Sequence, residues 1–329
     1  MSHGRFARRK KRQRANSRSN QVICNNVLEA VGNTPLIRLH RLPGPDDAEI
    51  LVKFEAVNIG GSIKTRTALN MILAAEKRGD IDQNTIIVEP SSGNQGIGLA
   101  LVAAVRGYRA IIVMPDSVSE ERRKIIKLYG AELILVEDKG NIGECIENCL
   151  ATARKLAAEN PKVYMPQQFV NPDNPAVHRE QVAREIIAQA AKTIHGFCAG
   201  IGTGGSISGI GEVLREANPH TVIWALEPDQ AAILTGGPIG SHMQMGIGDG
   251  LIPDNLNTKI YDEVAIVTDA EALQTSRDLA RKEGLLCGIS SGTNVAGALR
   301  MAKKLGKGKT VVTLLPDTGE RYFSTPLFE

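Results

Sequence analysis

TIIVEPSSGNQGIGLALVAAVRG, residues 85–107, contains one complete unit of the fold. Thr85–Glu89 is a short apolar run without polar alternation, the pattern of a strand buried on both faces. Ser-Ser-Gly-Asn-Gln-Gly then turns the chain, and a helix over 93–107 opens on glycine and stops at Arg-Gly. Outward from this unit the pattern recurs. Strands are predicted at 49–54, 109–114 and 132–136, with helices over 65–79, 119–130 and 142–158. A second series opens with VYMP (163–166). It continues through a helix at 175–191, strands at 196–200, 221–228 and 310–316, and helices at 206–217, 269–283 and 293–305. Such β–α alternation argues for an α/β fold with parallel sheets, whose ligands bind at the carboxyl ends of the strands.

Composition agrees. The 329 residues are 42% hydrophobic and only 4% aromatic, so Ala, Gly, Ile, Leu and Val must build the core. No apolar run approaches the ~20 residues of a membrane span, and no secretory signal pattern follows the first charges. Residues 1–20, MSHGRFARRKKRQRANSRSN, carry eight Arg or Lys and no acid; the other 31 basic residues face 36 acidic ones. The basic stretch predicts a disordered tail, and a nucleic-acid role is disfavoured because the body beyond it is acidic. The five cysteines show no metal-like spacing. Reduced thiols, a cytoplasmic setting and no metal are expected.

Four glycine-rich corners fall after strands: SSGNQG, GTGGS (202–206), GIGDG (246–250) and DTGER (317–321). GTGGS places backbone N–H groups and the Thr203 and Ser206 hydroxyls at a helix start, which suits a phosphate. From Gly200 the string GIGTGG also satisfies G-x-G-x-x-G, with Glu227 22 residues on, so a nicotinamide dehydrogenase is a competing reading. Ser91, Ser92, Asn94 and Gln95 offer more donors than one helix cap needs and suit a carboxylate. In NIGGSIKTRTALN (58–70), Lys64 stands where a helix dipole disfavours a cation. Burial and that positive field lower a lysine's pKa and make the amine nucleophilic. A lysine, a phosphate cup and a carboxylate cup together fit a Schiff base with pyridoxal 5′-phosphate.

From VGNTPLIRL (31–39) to ERYFSTPLF (320–328) the chain resembles the fold type II pyridoxal-phosphate enzymes, specifically cysteine synthases and the catalytic core of cystathionine β-synthases. The pieces occur in the family's order: GNTPLIRL, GGSIKTR, EPSSGNQGIGLA, MPDSVSEERRKIIKLYGAELILV, QQFVNPDNPAVH, GIGTGGSISGIG, GIGDGLIP, GISSG and LLPDTGERYFST. The resemblance implies two open, twisted, mostly parallel sheets, each covered by helices, with the active site between the lobes. It implies a smaller domain of 21–35 and 58–168, a larger one of 36–57 and 169–329, and a homodimer. Lys64 is then the Schiff-base lysine and the proton shuttle at the substrate Cα. Asn94 binds the cofactor's 3′-oxygen, and Ser91, Ser92, Gln95 and Gln168 bind the substrate carboxylate. Gly202, Thr203, Gly204, Gly205 and Ser206 cradle the phosphate. The implied reaction is β-replacement on a serine- or cysteine-type amino acid, chiefly activated serine plus sulfide giving L-cysteine.

Three departures matter. Gln95 stands where the family often has Thr. Asp317 aligns with the residue at the pyridine nitrogen, with Thr318 beside it, and either is open as the contact. Asp249 stands where cysteine synthases usually carry a small or apolar residue. As a general base it favours a sulfide-releasing reaction on L-cysteine, giving serine, lanthionine or another thioether amino acid; as a turn residue it only caps backbone N–H groups. A serine or threonine dehydratase shares the fold and cofactor and competes for the assignment.

Overall fold

The computed structural model describes residues 23–329 apart from residues 92 and 141. The tail expected over 1–20 and the expected substrate ligand Ser92 lie outside the described residues. In chain order the elements are β1 (Leu36–Arg38), β2 (Glu49–Phe54), α1 (Lys64–Arg78), β3 (Ile86–Pro90) and α2 (Asn94–Arg106). Next come β4 (Arg109–Pro115), α3 (Glu120–Leu128), β5 (Glu132–Val136), α4 (Ile142–Glu159) and β6 (Val163–Tyr164). The second half holds α5 (Asp173–Val177), α6 (Ala183–Ala190), β7 (Gly196–Gly200), α7 (Gly205–Ala217) and β8 (Val222–Pro228). It ends with β9 (Glu263–Val267), α8 (Asp269–Asp278), α9 (Ile289–Leu305) and β10 (Thr310–Leu315).

The strands form two sheets among the described residues. One has four strands in the order β5-β4-β3-β6, the other six in the order β1-β2-β10-β7-β8-β9. Only the β1–β2 pairing is antiparallel. This is the two-sheet α/β architecture expected from the resemblance.

Each central strand is buried on both faces, which explains the unbroken apolar runs. Ile87 and, on β4, Ile112 and Met114 pack beneath Ala68 of α1 and Leu99 of α2. Their neighbours Ile86, Val88, Ile111 and Val113 meet Cys145, Cys149 and Ala153 of α4 on the other face. β10 divides likewise: Val312 and Leu314 join the core beneath α6 and α7, and Val311 and Leu315 join the one beneath α9.

The structure departs from the pattern-based elements at particular places. VYMP does not open the second series, because β6 adds to the first sheet with Ile86 opposite Val163. β1 and β9 occupy edges of the six-stranded sheet and were not predicted; β1 has only three residues, while β9, Glu263–Val267, is an apolar run comparable to β5 that the pattern reading passed over. The single helix expected over 175–191 is α5 and α6 joined by a π-helical turn, His178–Val182. α9 begins at Ile289 rather than 293, so the two serines of GISSG lie in its first turn.

Candidate active site

A cavity of about 750 Å³ opens between the two sheets at the carboxyl ends of their strands. The corners after β3 and β7 and the GIGDG loop reach it, so three of the four glycine-rich loops converge on one place, while DTGER stands behind the wall and only Pro316 before it lines the cavity.

Lys64 is the first residue of α1 and lines this cavity. Gly60 and Gly61 precede it with φ of +76° and +70°, the left-handed region that favours glycine. That turn brings the chain alongside the end of β10: Ile63 N–H donates to Pro316 O at 2.8 Å, and Ser62 bridges to Asp317. Two residues further, Arg66 is buried in an ion network. It pairs with Glu55 at 2.9 Å and with Glu185 of α6 at 2.7 Å, and Lys53 pairs with Glu185 at 2.7 Å. These contacts tie the start of α1 to the six-stranded sheet and its helices. Buried ion pairs of this kind add orientation more than net stability.

The Lys64 Nζ donates to Thr203 Oγ1 at 3.2 Å. Burial pushes the amine down to about 8, against the opposing charge of Asp249. The sequence question thus has a physical answer: the lysine at this helix start is one whose charge burial makes easier to lose.

Gly202, Thr203, Gly204 and Ser206 line the cavity. Gly205 begins α7 and is packed behind them; a Cβ there would stand 2.2 Å from Asn174 Oδ1. At Gly202 a Cβ would stand 2.4 Å from Gly246 O, so the cup and the Asp249 loop touch backbone to backbone. Asn174 Nδ2 donates to Thr203 Oγ1 at 2.9 Å, and Ser206 Oγ lies 3.3 Å from His178 Nε2. His178 sits in the π turn between α5 and α6. Its pKa lies well below the usual range because it is buried, with Lys64 adding to the effect. A neutral ring therefore backs the cup.

On the opposite wall, Ser91 Oγ accepts from Gly93 N–H at 3.3 Å and Gly96 N–H at 3.0 Å, which sets the start of α2. Gln95 receives a hydrogen bond from Thr67 Oγ1 at 3.1 Å on its Oε1, while its buried Nε2 has no partner. Gln168 also lines the cavity, and its N–H donates to Glu89 Oε1 at 2.9 Å. Glu89, next to last in β3, accepts from Gln167 N–H at 2.8 Å as well, and is pushed up to about 7 by burial. It therefore couples the two halves of the expected carboxylate site.

Asn94 lines the cavity, donates to Asp317 Oδ2 at 2.7 Å and receives Arg321 Nη1 on its own Oδ1. Asp317 is fully buried and also accepts from Tyr322 OH at 2.7 Å. Neither Asp317 nor Thr318 lies on the cavity wall; Ser290, in the first turn of α9, does. Asp317, expected at the pyridine nitrogen, stands behind the wall instead, with Asn94 and Tyr322 both donating to its Oδ2. GISSG was visible in the sequence, but a turn signal hid the helix start. Asp249 does reach the cavity, its pKa raised by burial against Lys64 and His242.

The donor set fits pyridoxal 5′-phosphate. A partly neutral amine faces two hydroxyls at the start of a 13-residue helix, and an orphaned buried amide awaits an anion. Fold and site define the fold type II class of such enzymes. Residues 27–317 match the family described as pyridoxal-phosphate dependent enzyme, and the chain belongs to it.

Within that class it is cysteine synthase-like. A cysteine synthase of Staphylococcus aureus (strain Mu50 / ATCC 700699) is 46% identical over 309 residues, 94% of this chain and 98% of the relative. The solved structure of an O-ureido-L-serine synthase superposes with a TM-score of 0.89 at 41% identity, covering 93% of this chain and 96% of the other. A hydrogen sulfide-producing enzyme from Fusobacterium nucleatum gives 0.86 at 39%, covering 92% and 100%. Among the described residues no helix is long and apolar enough to cross a membrane.

Proposed function

We propose that the protein carries out pyridoxal-phosphate-dependent β-replacement, converting activated serine and sulfide to L-cysteine. The observation that carries this is the meeting of Lys64 with Thr203 of the glycine cup, inside a cavity whose other wall is the Ser91–Gln95 loop. When bound, the cofactor supplies an electron sink for the pair left at the substrate Cα. Lys64 holds the cofactor and then, freed by substrate, moves the Cα proton on its Nζ. Gly202, Thr203, Gly204, Gly205 and Ser206 hold the phosphate, with α7 behind them and neutral His178 against Ser206. Ser91, Ser92, Gln95 and Gln168 hold the substrate carboxylate. Asn94, kept in place by Asp317 and Arg321, would hold the 3′-oxygen, and Ser290 would be available to the ring.

The division into a smaller lobe (21–35 and 58–168) and a larger one (36–57 and 169–329) is part of this proposal. It is supported by the separate four- and six-stranded sheets, and the smaller lobe closes on substrate. The working form is a cytoplasmic homodimer, which sedimentation of the purified protein would test.

A second reading is favoured by one observation: Asp249, a carboxylate, lines the cavity and faces Lys64. As general base it activates water or a thiol, so that L-cysteine gives serine or lanthionine with release of hydrogen sulfide. The similarity to a hydrogen sulfide-producing enzyme supports it. O-acetylserine, O-phosphoserine, serine and cysteine, supplied singly with and without sulfide, discriminate the two. Sulfide consumption with an activated serine supports the first reading, and sulfide evolution from cysteine alone supports the second. Neither outcome with any donor would sink both.

A further inference from the structure

The cup expected to hold the substrate carboxylate offers only neutral donors on its cavity face, Ser91, Asn94 and Gln95 among them. A buried charge needs a counter-charge, and one stands behind the loop. Arg122, on the first turn of α3, is 3% exposed and lines the same cavity. A Cβ placed on Gly93 would lie 3.3 Å from its Nε and 3.4 Å from its Cδ, so the side chain packs directly against the centre of the cup's backbone.

Among the described residues no carboxylate forms an ion pair with Arg122. Its Cζ lies 4.8 Å from the centroid of the Tyr322 ring, Nη1 lies 2.8 Å from Met245 Sδ, and buried Nε has no partner. A ring face and a thioether are weak company for a guanidinium. The adjacent acid, Asp317, is already engaged by Asn94 and Tyr322, and a second buried cation, Arg321, binds Asn94 and the Gly60 carbonyl. The charge of Asp317 also acts on Arg321, so Arg122 keeps no carboxylate partner of its own among the described residues.

We propose that Arg122 is the counter-cation of the substrate's α-carboxylate, acting through the Gly93 backbone to select amino acids over their uncharged derivatives. The role rests on the β-replacement reading. It makes Arg122 a specificity-determining residue rather than a catalytic one. L-Alanine and L-alaninamide test it, because they lack a β-leaving group and differ at the carboxylate alone.

Binding of each to the holoenzyme is followed by the change in cofactor absorbance. Arg122→Met keeps bulk against Tyr322 and Met245; it should weaken alanine about tenfold or more and alaninamide less than twofold. Arg122→Lys, which keeps the charge, should retain most of the preference for alanine. Equal weakening of both ligands in the methionine variant, an unchanged preference there, or loss of the preference in the lysine variant would overturn the proposal. If the wild type answers neither ligand, the β-replacement reading itself fails and takes this proposal with it.

Discussion

Lys64 Nζ and Thr203 Oγ1, 139 positions apart in the chain, stand 3.2 Å apart and join the first turn of α1 to the glycine cup before α7. That single contact brings the nucleophilic amine from one sheet's side to the phosphate cup of the other.

The amine's acidity sets how fast cofactor attaches. With the pKa at about 8 instead of 10.5, roughly a tenth of the lysine is neutral at pH 7, some 300 times the fraction of an ordinary lysine. Only the neutral amine attacks an aldehyde, so loading of cofactor-stripped protein should climb with pH and reach half its maximum near pH 8. Stopped-flow absorbance measures this; a midpoint near 10 would show that burial does not act on Lys64 as described.

Asp249→Asn tests the second functional reading. The variant should still process an activated serine, while sulfide release from L-cysteine drops about a hundredfold or more, the lower end for loss of a general base. Trapping evolved sulfide provides the measurement, and undiminished output would leave Asp249 a turn residue.

Gly202→Ala probes the cup. Its Cβ would lie 2.4 Å from the Gly246 carbonyl oxygen, a backbone atom that no side-chain rotation relieves. The two loops must separate, so cofactor content at a fixed cofactor concentration should fall several-fold and Tm should drop by a few degrees, as for a loss of about 1–3 kcal/mol. Cofactor stoichiometry and calorimetry read the two effects separately.

Glu89 gives the fold a pH dependence. Its carboxyl is pushed up to about 7 from 4.5, so between those values the folded protein binds more protons than the unfolded chain. Stability from this group is therefore full below about pH 4.5 and is lost as pH rises toward 7, by about 3 kcal/mol for a shift of this size. Glu89→Gln should flatten that part of the Tm–pH curve. A slope identical to wild type between pH 5 and 7 would contradict the assignment.

Much of this was legible in the residues. Unbroken runs such as TIIVE and TVVTLLP read as strands because burial on both faces removes polar alternation. Lys64, Ser91, Gln95 and the 202–206 cup could be named because small residues, hydroxyls and a helix-start cation at strand-to-helix corners have few structural explanations, whereas Gln168 was implied by the family resemblance alone. All of these reach one cavity wall or the packing directly behind it. Asp317 and Ser290 were harder. A sequence alignment carries no direction for a side chain; Asp317 is held behind the wall by Tyr322, five positions on, and by Asn94, 223 positions back.

The local chemistry thus came from the sequence: element type, the helix-start lysine and the anion cups depend on residues close together in the chain. Folding alone decided which edge β6 joins, that Ser290 rather than Asp317 lines the cavity, that His178 is kept neutral behind Ser206, and that Arg122 stands unpaired behind Gly93. Each of those facts depends on desolvation or on contacts between distant segments, and neither quantity exists until the two sheets are packed with their cavity between them.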